Sequence, residues 1–252
     1  MILNRAFSEF ICDRAIEAAW QTAVFFYRER HHVPATIFLQ GIHMSNVKEK
    51  MHTGELYDPF DEEIYQEQMR ILDRLREFNA TRSDEMDKRR ALMEKLFAEV
   101  GEGTYIEPPL YANWGGKFLH LGKNVYANFH LTLVDDTDIY VGDSTFFGPN
   151  VTLACAGHPL DPELRATGWQ YNLPIHIGNH CWLGAGVIVM PGVTIGDGSV
   201  IGAGSIVTKD IPAGSLAYGN PCRVVRAINE HDKEFYYRDR KVPQELKDLI
   251  KR

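Results

Sequence analysis

Cysteine is scarce. The 252 residues hold 4 of them, Cys12, Cys155, Cys181 and Cys222, far apart and with no CxxC pair. Disulfide and structural-metal frameworks are therefore not expected. Small buried thiols in a reducing cytoplasm are. Long apolar runs are missing as well: none approaches the roughly 20 residues that span a bilayer. The most apolar N-terminal stretch, "AIEAAWQTAVFFY", contains Glu17 and lies between Asp13 and Arg28. It has no basic start and no small-residue cleavage site, so no signal peptide is expected. Nor is there an excess of positive charge. Lys and Arg number 27 against 34 Asp and Glu, a net charge of -7, which argues against nucleic acid as the main partner. What remains is an ordinary globular composition, 44% hydrophobic and 24% charged, long enough for one large domain or two small ones.

Three textures follow one another along the chain. Residues 1–43 are mixed, and Asp13 to Arg30 reads as a helix with no assignable partner. Residues 44–105 read as a helical cap. Asp61 opens an acidic first turn, favourable at a helix N-terminus, and Ile64, Met69, Leu72, Leu75 and Phe78 recur at helical spacing. A second helix is expected from an N-cap at Ser83 to a stop at Gly101, with Met86, Leu92, Met93, Leu96 and Phe97 as its apolar stripe. From residue 106 to 225 the segments turn short and β-like. Residues 226–252 form a tail with a short final helix from Pro243.

The strongest signal lies in "IHIGNHCWLGAGVIVMPGVTIGDGSVIGAGSIVTKDI". Ile177, Leu183, Val189, Ile195, Ile201 and Val207 recur every six residues, and glycine follows four of them, at 178, 184, 196 and 202. Four residues after each apolar position stands a small or apolar one: Cys181, Val187, Val193, Ser199, Ser205 and Ile211. Val141, Phe147 and Leu153 hold the same register earlier, and Leu121-Gly122 reads as another start. A period of six belongs neither to a helix nor to a hairpin sheet. It is the signature of a parallel β-helix, each hexad one short strand and a turn. Its coils contact only their neighbours, and its ends need covering.

The register breaks between Leu153 and Ile177, giving an insert at 154–176, "ACAGHPLDPELRATGWQYNLPIH". Inserts in repeat proteins become loops that often carry function. His158 stands near its start, between Gly157 and Pro159. A lone histidine in a turn is ordinary; this one has Asn128, Asp136 and Trp182 in neighbouring coils by register.

Taken together, "GELYDP", "FAEVGEGTYIEPPLY", "NVYANFHLTLVDD", "GPNVTLACAGHPLDPELR", "PGVTIGDGSVIGAGSIVTKDIPAGSLAYGNPCRVVR" and "INEHDKEFYY" resemble the sugar O-acetyltransferases of the hexapeptide-repeat superfamily, those acting on galactosides and on maltose or glucose. The resemblance covers roughly Met44 to Lys241. Residues 1–43 have no counterpart in it, so Met44 is a candidate natural start. It implies a mainly β fold: a left-handed parallel β-helix with an N-terminal helical cap and a short C-terminal helical tail. The left hand comes from the resemblance alone, since the general preference for right-handed crossovers predicts the opposite. It further implies a cytoplasmic homotrimer with sites between subunits, acetyl-CoA as donor, and a galactoside, maltose or glucose-type sugar, at its 6-hydroxyl, as acceptor.

The residues can be matched to that chemistry. His158 is the implied general base, needed because a neutral alcohol is a poor nucleophile. The backbone N–H of Ala185, in "LGAG", is the implied oxyanion donor. Asn128, in "YAN", is implied to contact the acceptor hydroxyl, and otherwise reads as a corner asparagine. Asp136 and Asp58 resemble acceptor-binding carboxylates, although Asp58 also reads as a turn residue before Pro59. Tyr126 reads equally as a wall of the sugar site and as solenoid packing. For the donor, Trp182 and Ala203 resemble positions flanking the pantetheine arm. Thr208, Lys209, Arg223 and Arg226 cluster near the end of the solenoid, where arginine suits phosphate geometry. Two departures bear on specificity. Asn113 stands where the galactoside enzymes have serine, and Gln68 where they have arginine.

Two other readings use the same solenoid. A γ-carbonic-anhydrase-like metalloenzyme would need three converging imidazoles from among His130, His158, His176 and His180, of which His176 and His180 flank one coil turn and are expected to diverge. No metal site is expected. A non-catalytic trimeric sugar-binding protein would not bind acetyl-CoA.

Overall fold

The structure, a computed structural model, describes residues 47–250. The expected helix at Asp13 to Arg30, the extension 1–43 and Cys12 lie outside the described residues. The described residues begin with α1 (Val47–Lys50), α2 (Glu62–Asn79) and α3 (Met86–Leu96). Asp61 caps α2, its side chain accepting from the Glu63 N–H. The second helix starts later than expected. Ser83 lies in a turn, α3 begins at Met86 after Glu85, and no side chain caps it. It also stops sooner, at Leu96, and Met86 is exposed rather than part of the stripe. Gly101 does not end this helix. It packs in the first coil, where a Cβ would lie 2.3 Å from the Gly122 backbone.

Strand pairing begins inside the region expected to be cap. The first coil carries β1 (Glu99–Val100), β2 (Tyr105–Ile106) and β3 (Tyr111–Ala112). The second carries β4 (Leu119–Leu121), β5 (Tyr126–Ala127) and β6 (Thr132–Val134), and the third β7 (Ile139–Val141), β8 (Phe146–Phe147) and β9 (Thr152–Ala154). The insert follows, with β10 (Ala156–Gly157), α4 (Pro162–Ala166) and β11 (Tyr171–Asn172). Coil four holds β12 (Ile175–Ile177), β13 (Trp182–Leu183) and β14 (Ile188–Val189); coil five holds β15 (Thr194–Ile195), β16 (Val200–Ile201) and β17 (Ile206–Val207). Ala154 still pairs with Val134 and Ile175 already pairs with Ile139, so the insert spans 155–174. Equivalent strands stack in parallel on three faces, ordered β1-β4-β7-β12-β15, β2-β5-β8-β13-β16 and β3-β6-β9-β14-β17.

The hexad has two buried positions. Leu183, Val189, Ile195, Ile201 and Val207 are each 0% exposed, and so are the alternate Val187, Ser199 and Ser205. Burying one Leu or Ile side chain contributes about 1.5–3 kcal/mol, and here that burial repeats along the whole axis. Glycine does two separate jobs. At 184 a Cβ would meet the Ala203 backbone nitrogen at 2.7 Å, so glycine lets successive coils touch. At 186 the backbone has φ 69, which L side chains rarely adopt.

The helices cover the N-terminal end: Leu75, Phe78, Leu92, Met93, Leu96 and Phe97 join one core with Ile106, Leu110 and Leu119. Arg89, 3% exposed, is held there by the Thr81 hydroxyl at 3.0 Å, the Arg82 carbonyl at 3.0 Å and the Tyr105 hydroxyl. The C-terminal end is covered by a hairpin of β18 (Ser215–Gly219) and β19 (Cys222–Ala227). The tail helices α5 (Glu230–Glu234) and α6 (Gln244–Leu249) bury nothing, so they do not close the solenoid within one chain. Cys155, Cys181 and Cys222 are buried and free. Among the described residues no helix is long and apolar enough to cross a membrane.

Candidate active site

The insert leaves the solenoid at the end of β9 and folds back along the cap. Antiparallel pairing of β10 with β11 sets Gly157 against Tyr171. A Cβ at Gly157 would meet the Tyr171 ring at 2.7 Å, so glycine is required for this close approach. Asp161 caps α4, accepting from the Glu163 and Leu164 N–H groups at 3.0 Å each. A Tyr57–Gln170 bridge then ties the insert to the cap. Between cap, insert and solenoid lies a cavity of about 450 Å³, within the range of small-molecule sites. His158, Asp136, Asn113 and Gln68 line it, together with Tyr65 and Arg165.

His158 sits at its rim with Nδ1 2.9 Å from the Trp169 carbonyl oxygen. A carbonyl only accepts, so Nδ1 carries the proton and Nε2 keeps its lone pair. That tautomer leaves a base available at Nε2.

Asp136 forms the floor. It is 6% exposed. Burial pushes its carboxyl up, opposed by hydrogen bonds from Asn113 and Gln170. Asn113 Nδ2 donates to Oδ2 at 3.0 Å and Gln170 Nε2 to Oδ1 at 3.2 Å. Gln68 Nε2 donates to the Asn113 carbonyl at 3.0 Å, so it braces Asn113 where a guanidinium would have supplied a charge. Neighbouring Asp135 is fully buried and accepts from the Trp114 and Gly116 N–H groups at 2.8 Å each. Burial pushes it up to about 7. Asp58 is held by a turn, its Oδ1 accepting from the Phe60 N–H at 3.0 Å, and its neighbours Tyr57 and Pro59 line the cavity.

Tyr57, Gln170 and Asn172 escaped sequence reasoning. They form a buried polar cluster in which Gln170 Nε2 and Asn172 Nδ2 both donate to the Tyr57 hydroxyl. The available signal was weak: two amides, i and i+2, share one side of a short strand inside an otherwise irregular insert.

Asn128 and Tyr126 do not join His158 within one chain. Neither lines the cavity. Tyr126 stands in the face of β5, its ring 6.3 Å from Tyr105 and 6.5 Å from Phe146. Asn128 follows it at the next corner, its Oδ1 accepting from the Phe129 N–H at 2.8 Å. The expected pairing of Asn128 with His158 from a neighbouring coil is therefore corrected: the two leave the solenoid at different corners.

Trp182, Ala185, Ala203 and Arg223 share the side of Tyr126. Trp182 pairs in register with Phe146 and is 56% exposed. Ala185 and Ala203 stack at one corner, with the Gly204 N–H donating to the Ala185 carbonyl at 2.8 Å. Neither the Ala185 nor the Ala203 N–H has an acceptor among the described residues. Thr208 and Lys209 are exposed after β17, which stacks in line with β14 and β9, so they stand at the corner from which the insert leaves. Lys209 and Arg223 have no carboxylate partner among the described residues. Arg226 is not a free cation: it forms a two-pronged pair with Asp232, both contacts at 2.7 Å.

The other histidines scatter. His176 stacks on Tyr140 at 4.8 Å, His130 lies 3.2 Å from Asn150, and His180 occupies a turn at φ 55. Among the described residues no group of three or more His, Cys, Asp or Glu could hold a metal ion.

Two family models match. Residues 50–101 match the maltose acetyltransferase hexapeptide capping motif. Residues 174–209 match the bacterial transferase hexapeptide of six repeats. The galactoside O-acetyltransferase of Lactococcus lactis is 52% identical over 77% of this chain and 93% of its own length. That of Escherichia coli is 48% identical over 77% and 95%. A solved galactoside acetyltransferase in complex with coenzyme A superposes with a TM-score of 0.76 at 47% identity, covering 78% of this chain and 98% of that one. A maltose O-acetyltransferase from Clostridium difficile superposes with a TM-score of 0.71 at 43% identity, covering 73% and 97%.

Proposed function

Because this chain belongs to the hexapeptide-repeat sugar O-acetyltransferases, the family of the galactoside and maltose enzymes, we propose that His158 is its general base and that two copies of the chain complete each site. The protein is an acetyl-CoA-dependent O-acetyltransferase that acts on a sugar. One observation carries the reading of the base: the bond from Nδ1 to the Trp169 carbonyl gives the neutral imidazole of a cavity-lining residue its lone pair at Nε2.

In this reading the 6-hydroxyl of a galactoside, maltose or glucose-type sugar gives its proton to His158 Nε2. The C–O bond forms as the carbonyl π pair moves onto oxygen, and collapse of the resulting tetrahedral oxyanion breaks the C–S bond of the thioester. The imidazolium then returns the proton to the departing thiolate, so His158 acts as base and then as acid. The Ala185 N–H stabilises the oxyanion, a role supported by its having no acceptor among the described residues and worth about 3–4 kcal/mol for a single preorganised donor. Asp136, Asn113 and Asp58 receive the sugar hydroxyls. Trp182 and the Ala203 corner flank the narrow donor arm, and Thr208, Lys209 and Arg223 meet the phosphates. Arg226 reaches them only by sharing Asp232.

The residues divide between two surfaces of one chain: His158 with Asp136 and Asn113 in the cavity, Asn128 and Tyr126 on another face. A cyclic trimer would bring the first surface of one copy to the second surface of the next. Leu160, 93% exposed on the insert, supports such a contact. Three buried free thiols suit a reducing cytoplasm. The sequence-based division stands as part of the proposal, with its boundaries moved: an extension at 1–43, a cap ending near Leu96, a solenoid from Glu99, and a tail after β19.

The test is His158→Ala, assayed by release of free thiol from acetyl-CoA across a panel of sugars. Turnover should fall by roughly 10²–10⁴ with trimer and acetyl-CoA binding intact. Near-normal turnover would remove the base.

A further inference from the structure

The carbonyl that holds His158 belongs to a peptide unit with a second attachment. The C=O of Trp169 and the N–H of Gln170 are the two ends of one planar group. The C=O end accepts from His158 Nδ1 at 2.9 Å. The N–H end donates to the Tyr57 carbonyl at 3.1 Å, and the Tyr57 N–H donates back to the Gln170 carbonyl at 3.0 Å. In a trans peptide these ends point in opposite directions, so fixing one fixes the aim of the other. A hydrogen bond at the N–H also polarises the carbonyl and strengthens the bond that it accepts.

The side chains lock the same seam. Tyr57 is 0% exposed, Asn172 0% and Gln170 7%. The Tyr57 hydroxyl accepts from Gln170 Nε2 and from Asn172 Nδ2. Asn172 Nδ2 also reaches the Met51 carbonyl and the Asp136 carbonyl, each at 3.0 Å. The insert is thus held to the cap on one side and to the solenoid on the other, directly beside the peptide that aims the histidine. Pairing of β10 with β11 keeps the insert's two limbs together. The seam fixes where they sit against the rest of the chain.

We propose that Tyr57 is the positioning residue of His158, acting through the Trp169–Gln170 peptide. The proposal rests on His158 being the base. Tyr57 touches no reacting atom in this role. It sets the orientation and tautomer of the imidazole, and so couples the helical cap to the chemistry of the solenoid.

Tyr57→Phe tests it. The substitution removes the hydroxyl from the seam and removes no charge, because burial pushes the Tyr57 phenol up and keeps it neutral. The other titratable groups lining the cavity with His158 are Tyr65, Asp136 and Arg165, and they are unchanged. The variant should lose about tenfold in kcat, a fraction of the whole worth of a general base, with little change in KM for either substrate. Imidazole ¹⁵N spectra should show the Nδ1–H tautomer of His158 losing population, and the Gln170 amide should exchange faster. A lower thermal midpoint with an unchanged His158 tautomer would overturn the proposal. Should the variant not fold, the wild type decides: rapid exchange at the Gln170 amide, or an Nε2–H tautomer of His158, overturns it equally. Failure of the base itself is read separately, from His158→Ala.

Discussion

A mixture of two inactive chains should recover activity. His158→Ala removes the proposed base from the cavity, and Asn128→Ala removes the amide from the other surface. Within one chain these residues share no cavity and stand on different corners of the solenoid. If each site takes its histidine from one copy and its asparagine from the next, neither homotrimer has an intact site. In a trimer assembled at random from equal amounts, about a quarter of the sites receive both wild-type residues, by the symmetry of a head-to-tail ring. Each single variant should lie at least about a hundredfold below wild type, so recovery to about a quarter stands far above either background. The assay is co-refolding followed by free-thiol release from acetyl-CoA, with unmixed variants refolded alongside. Full activity from either variant alone, or no recovery in the mixture when mixed trimers are demonstrably present, would refute the two-copy site.

Asp135 gives a prediction about pH. Its folded value is raised to about 7 by burial, so the folded state binds a proton that the unfolded chain releases. Unfolding free energy should therefore fall as pH rises from about 4 to about 7. Asp135→Asn should flatten that slope in denaturant titrations repeated across the range. In the core, Leu183→Ala should cost about 2–5 kcal/mol, read as a lower midpoint of unfolding. Gly184→Ala adds only a methyl group but should also destabilise, because its Cβ would lie 2.7 Å from the Ala203 nitrogen. On the donor side, Trp182→Ala should raise KM for acetyl-CoA with little effect on the sugar. Lys209→Ala and Arg223→Ala should do so more than Arg226→Ala, whose guanidinium is already paired with Asp232. Titrations of initial rate against each substrate separate these outcomes.

The solenoid was legible because its physics is local and periodic. Every sixth residue from Ile177 to Val207 enters the same core, and the glycine after four of these six lets the next coil approach, so the pattern can be counted without knowing what lies across the axis. His158 was legible for a related reason: an insert between hexads has nowhere to go but outward. Its tautomer was not. That depends on the Trp169 carbonyl, eleven residues later in an irregular loop. The helix start at Met86 rather than Ser83 was equally hidden, since α3 begins without a side-chain cap.

The sequence by itself determined the repeat, the position of the break and the candidate residues for acetyl transfer. Only the tertiary structure decided which of them share a space. Tyr57 and Gln170 are far apart in the chain yet exchange two backbone hydrogen bonds. Asn128 and His158 are closer in sequence and do not share a cavity. Periodicity reports which way a side chain faces within its own coil. It carries no information about where an aperiodic insert returns, and that return is set by buried polar groups, each of which must find a partner once water is excluded.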